Sequence, residues 1–142
     1  MGHIAMPLRR FALLVGAGAA VGCGNLFGPP DRALKVETNK ATYVLGDQVV
    51  VRMENVSDRH VTMSGCPNAP ATIVDQQLNG HWVDVGAFNA TCLDNFGVQE
   101  VILPPGHAFS FAISVFDTGS YRFRVFQGSR ILGISNAFTA TQ

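Results

Sequence analysis

From residue 33 onward, apolar and polar residues alternate along the chain with a period of two. Leu34, Val36 and Thr38 alternate with Lys35 and Glu37, and Val49, Val51 and Met53 alternate with Val50, Arg52 and Glu54. Val61 and Met63 alternate with His60 and Thr62. The longest run sets Phe109, Phe111, Ile113 and Val115 against Ala108, Ser110, Ala112 and Ser114. Side chains of a β-strand point to opposite faces in turn, so each run predicts a strand with one buried face. The runs predict strands over 34–38, 48–55, 60–64, 72–77, 81–85, 98–103, 108–116, 120–126 and a bent or paired strand over 130–140.

Turn residues separate these runs. Gly46-Asp47, the polar stretch 55–59, Pro104-Pro105-Gly106 and Gln127-Gly128-Ser129 each break the alternation. Asn79-Gly80 is a two-residue hairpin signal, because both positions tolerate positive φ. The stretches 65–70 and 86–97 read as loops, and Trp82 is offered to one face of its strand. No segment of this region has a helical period. About eight or nine short strands with turns every 8–12 residues predict an all-β, antiparallel sandwich over 33–142.

The N-terminus has a different pattern. Met6-Pro7-Leu8-Arg9-Arg10 is basic, 11–21 is uncharged and apolar or small, and Gly22-Cys23 follows. This is the layout of an export signal. Eleven residues make a helix of roughly 16 Å, short of the ~30 Å bilayer core. Ala20-Val21-Gly22-Cys23 resembles the bacterial lipobox. The resemblance implies a signal peptide over 1–22, cleavage before Cys23 and acylation of its thiol. It also implies a lipid bilayer as partner and a lipid-anchored place in the cell envelope. Gly24 stands where Asp would signal inner-membrane retention, which favours the outer membrane where there is one. Residues 23–32 hold two Gly and two Pro beyond Cys23 and read as a tether.

Charge adds an exclusion. Ten basic residues balance ten acidic ones in 142 residues. Without Arg9 and Arg10 the balance is eight against ten, which gives no electrostatic footprint for nucleic acid.

Beyond Cys23, the cysteines are Cys66 and Cys92. An even pair in an exported chain is most simply a disulfide. It would close a loop of about 27 residues, worth roughly 3–4 kcal/mol of chain entropy. A redox pair would want a closer spacing.

The motif Asp117-x-Gly119-x-Tyr121 resembles the tyrosine corner of immunoglobulin-like sandwiches. That resemblance implies a strand F starting at Tyr121, with 108–116 as E, 48–55 as B and 130–140 as G. Phe123 stands where antibody domains carry Cys, so the B–F disulfide is absent. From Tyr43 on, Tyr43-x-x-Gly46-Asp47-x-Val49, Asn55-x-Ser57-Asp58, Leu103-x-Pro105-Gly106 and Gly119-x-Tyr121 resemble bacterial export-associated Ig-like domains. The Asn55-x-Ser57-Asp58 turn, the Pro105-Gly106 turn and the Gly119-x-Tyr121 corner also resemble the BsuPI-type proteinase inhibitor domain, which implies a protease as an alternative partner.

Catalytic chemistry finds little support. No Gly-x-Ser-x-Gly elbow is present, and His60, His81 and His107 lack a spaced acid. Asp58, Asp75, Asp84 and Asp94 fall in turns or on outer faces, where solvated acids are ordinary. A copper-type site would need His60, Met63, Cys66 and His81 to converge. The expectation is a non-enzymatic envelope domain without cofactor or metal, which binds an envelope protein or supports structure. A protease inhibitor and a metal carrier are the alternatives.

Overall fold

The computed structural model describes residues 32–66, 69–88, 97–115 and 117–142. All regular structure among them is strand: β1 Leu34–Thr38, β2 Thr42–Val44, β3 Gln48–Asn55, β4 Val61–Cys66, β5 Ala69–Pro70, β6 Thr72–Leu78, β7 His81–Phe88, β8 Gln99–Leu103, β9 Ala108–Ser114, β10 Gly119–Gln127, β11 Arg130–Ile134 and β12 Phe138–Thr141.

Alternation at 48–55 becomes the buried face of β3, where Val49, Val51 and Met53 are inaccessible to solvent. β3 pairs antiparallel with β1 on one side and β9 on the other, giving the order β1-β3-β9. A second sheet runs β2-β12-β10-β6-β7, with β11 also on β10. Its hairpin β6–β7 turns at Asn79 and Gly80, both at positive φ (52° and 81°), as a tight two-residue turn requires. The two sheets bury Phe123, Val125, Val74 and Phe138 against Val36, Val49 and Ile113. Each such large side chain contributes about 1.5–3 kcal/mol by leaving water. Phe138 is the centre of the aromatic packing: Tyr43 meets it edge-on at 5.3 Å, and Phe123 stacks on it at 5.3 Å.

The expected two-sheet sandwich is only part of the pattern, because the described hydrogen bonding forms three sheets. β4 pairs with β5 and β8, apart from the other two sheets. The division has a local cause at Asn55. Chain turns at 56–60 and 104–107 interrupt the β3–β9 ladder, and Asn55 spans the break. Its side-chain amide donates to the carbonyls of Arg59 (2.7 Å) and Leu103 (2.8 Å). Its Oδ1 accepts from the backbone N–H and hydroxyl of Ser57. Its own N–H donates to the His107 carbonyl, and its carbonyl accepts from Gly106. Asn55 is 0% exposed, and every one of its polar groups is used.

At the far end of the chain, β11 and β12 are one bent strand. Ser135 makes the bend, donating its N–H to the Phe123 carbonyl and accepting the Phe123 N–H on Oγ. β12 then runs parallel to β2.

The expected disulfide and membrane description needs correcting. Cys66, on β4, is disulfide-bonded, but Cys23 and Cys92 both lie outside the described residues, so no complete bridge lies among them. No helix among them is long and apolar enough to cross a membrane. Neither a membrane-spanning segment nor a Cys66–Cys92 bridge is thus found among the described residues. Backbone ladders and the Asn55 bonds hold its sheets together. The 1–22 signal and most of the 23–32 tether also fall outside the described residues.

Candidate functional site

Register places five chemistry-bearing residues on the outer face of the second sheet. Arg122 on β10 lies opposite Asp75 on β6, and Asp75 lies opposite Asp84 on β7. Arg124 sits two residues along from Arg122, and Trp82 two residues before Asp84. Asp75 is only 1% exposed, which corrects the expectation of a solvated acid. The reason is that two guanidiniums cover it: Arg122 Nε donates to Oδ2 at 2.9 Å and Arg124 Nε to Oδ1 at 2.8 Å. Arg122 also lies over the Trp82 ring at 4.5 Å. Arg124 reaches Asp84 at 3.7 Å and lies over Phe126 at 5.2 Å. Two cations and two anions thus satisfy one another. The cluster locks three strands in register and holds no spare charge for an anion.

The predicted corner lies on the opposite face of β10. Asp117 Oδ1 accepts the Thr118 N–H at 2.7 Å. The Tyr121 hydroxyl donates to the Thr118 carbonyl at 3.2 Å and accepts from Gln76 Nε2 at 3.1 Å. Gly119 is required between them. Its φ is +147°, and a Cβ there would come within 2.7 Å of Gln76 Nε2. Burial, and next the Asp117 charge, push the Tyr121 hydroxyl above its ordinary pKa, while the Gln76 hydrogen bond pulls the other way.

Beside this corner a cleft of about 330 Å³ opens between the sheets. The first sheet ends at β9 and the second at β7, and among the described residues no strand bridges these two edges. β8, which lies between them in sequence, pairs with β4 instead. Val74, Ile113, Val115 and Phe123, all buried core side chains, form the cleft floor between these edges. A β-bulge shapes the β7 rim. Val74 faces Gly86 and Asp75 faces Asp84, which leaves Val85 without an opposite residue and 48% exposed. Gln76, Ser114, Asp117 and Tyr121 make the polar part of the lining. Sequence reasoning missed this cleft. Its one local signal is the pair of valines, Val83 and Val85, on a strand whose other face carries Trp82 and Asp84.

The remaining expected sites are not assembled. Among the described residues, no three His, Cys, Asp or Glu side chains group as metal ligands. His60 precedes β4, whose Met63 is buried in the core, whereas His81 lies on β7 in a different sheet. Cys23 and Cys92 lie outside the described residues.

No protein-family model matches the chain, and no curated protein matches it. Among solved structures, it is similar to part of the Pseudomonas fluorescens alkylpurine DNA glycosylase AlkC bound to abasic-site DNA. That match has a TM-score of 0.48 and 12% identity, over 78% of this chain and 31% of the other. A match to the sporulation control protein Spo0M of Bacillus subtilis has a TM-score of 0.45 and 11% identity, over 77% of this chain and 49% of the other. A match to the Listeria innocua β-glucosidase in complex with gluconolactone has a TM-score of 0.43 and 12% identity, over 77% of this chain and 16% of the other. The chain thus spans less than half the length of each. Likeness at this level carries no argument about function; it describes a small, mostly β domain that resembles fragments of diverse proteins.

Proposed function

We propose that this chain is a non-catalytic binding domain of immunoglobulin-like build, displayed at the cell envelope, and that its ligand site is the cleft between β7 and β9. The strand order supports the immunoglobulin-like build. β1-β3-β9 corresponds to A-B-E, and β12-β10-β6-β7 to G-F-C-C′. The envelope address rests on the sequence of 6–23. Its test is the mass of the mature N-terminus, which an acyl-bearing Cys23 would raise and an uncut or unmodified chain would not.

One observation carries the binding function: apolar core side chains line a cleft of about 330 Å³ that no described strand closes. Small-molecule sites are concave, mostly apolar and roughly 300–1,000 Å³ in size. The hydrogen-bonded corner and the Asp75 cluster brace its walls, so the cavity is held open by the fold itself.

The experiment is a titration of the full chain with N-phenyl-1-naphthylamine, an uncharged apolar dye whose emission rises when it leaves water. The expected result is saturable one-to-one binding. Val85→Trp, which fills the half-exposed rim, abolishes it while leaving the β-sheet circular dichroism unchanged. Dye binding that does not saturate, or that survives Val85→Trp, sinks the proposal.

A further inference from the structure

The polar atoms of the cleft have an uneven balance of donors and acceptors. The Tyr121 hydroxyl spends its proton on the Thr118 carbonyl. Gln76 Nε2 spends a hydrogen on Tyr121, and Gln76 Oε1 has no partner among the described residues. Asp117 uses one carboxylate oxygen on Thr118, and its other oxygen accepts nothing from the described residues. Among the described residues no Lys or Arg lines the cleft, and Asp117 is the single formal charge there. That charge is close enough to Tyr121 to disfavour a second anion there. The floor, by contrast, is apolar: Val49, Val74, Ile113, Val115 and Phe138 offer no donor or acceptor from their side chains.

We infer that the cleft takes a cationic amphiphile: an apolar chain or ring lying on the valine and isoleucine floor, with a protonated amine at the corner. The ammonium donates to the second carboxylate oxygen of Asp117 and to Gln76 Oε1. A carboxylate or phosphate head finds only the Ser114 hydroxyl and the second Gln76 N–H as side-chain donors among the described residues, and it meets the like charge of Asp117, which costs binding energy. A neutral head gains the apolar contact alone. This assignment rests on the cleft being a binding site.

The two levels separate in one set of calorimetric titrations at pH 7 with octylamine, 1-octanol and octanoate. The body is common to all three, while the head is a cation, a neutral hydroxyl and an anion. The expected order is octylamine tightest, octanol weaker and octanoate weakest. Asp117→Asn keeps the Oδ1 acceptor for Thr118 and removes the charge. It weakens octylamine binding by about three- to fivefold, the range of an exposed charge pair, and leaves octanol unchanged. Equal affinity for all three heads, or tighter octanoate, overturns the head-group assignment and leaves the cleft as a plain apolar site. Failure of all three to bind removes the binding site itself. Loss of octanol binding in Asp117→Asn indicates a changed cleft. In that case Asp117→Glu decides: it must retain the preference for octylamine, and loss of that preference overturns the assignment.

Discussion

Asn55 gives the account its most exacting energetic test. Its side chain makes four hydrogen bonds, two donated to the Arg59 and Leu103 carbonyls and two accepted from Ser57. Asn55→Ala removes all four. A net hydrogen bond contributes about 1 kcal/mol, and a buried group left unpaired costs about 1–3 kcal/mol. The Leu103 carbonyl is at the buried end, whereas the Ser57 groups and the Arg59 carbonyl can turn to water. The expected loss is therefore about 3 kcal/mol out of a typical 5–15 kcal/mol. Asn55→Asp has the same shape but turns an acceptor towards two carbonyl oxygens. It is expected to be less stable than Asn55→Ala at neutral pH. The sign of its pH dependence follows. Carbonyl oxygens favour the protonated acid, so the introduced group has a folded pKa above the unfolded value of about 3.9. The folded state then binds more protons, and stability is regained as pH falls through the folded pKa towards the unfolded one. Urea unfolding at several pH values measures both effects. A loss below about 1 kcal/mol for Asn55→Ala, or no acid recovery for Asn55→Asp, would refute this account of the sheet break.

Three further outcomes are expected. Asp75→Asn leaves two guanidiniums without their carboxylate; since both are partly hydrated, the loss is about 2 kcal/mol by chemical denaturation, below the range for a fully buried pair. Combining it with Arg122→Met and Arg124→Met should recover most of that loss, and no recovery would contradict a purely structural role. Gly133→Ala places a Cβ 2.7 Å from the Leu34 carbonyl and from Val36 Cγ2, so overpacking between β11 and β1 should cost about 1–3 kcal/mol in thermal or urea unfolding. Tyr121 has a raised pKa, so its contribution is intact below pH 10 and is lost as pH climbs through the folded value. In Tyr121→Phe that part of the alkaline loss should vanish, which paired stability–pH curves above pH 10 will read.

The strands of this chain were legible because each buries one face. Val49, Val51 and Met53 alternate in sequence and are buried as the alternation requires. The Asn79-Gly80 hairpin was legible because its backbone angles suit so few residues. Which strand pairs with which was not. β8 was expected to complete a two-sheet sandwich, yet it lies against β4, since Asn55 divides one long ladder into two. Asp75 looked like any outer-face acid, because its burial depends on the cross-strand positions of Arg122 and Arg124, some 47 and 49 residues away. The cleft depends on two strand edges left apart, a property of topology that no local pattern encodes.

Ligand binding in the cleft between β7 and β9, through core side chains, is the proposal on which the others depend. The most direct measurement is nuclear Overhauser contact between octylamine and the methyl groups of the isotope-labelled full chain. Contacts from the alkyl chain to Val74, Ile113 and Val115 are expected, and are lost in Val85→Trp. Contacts confined to the outer face around Trp82, or none under conditions where the chain is folded, would contradict it.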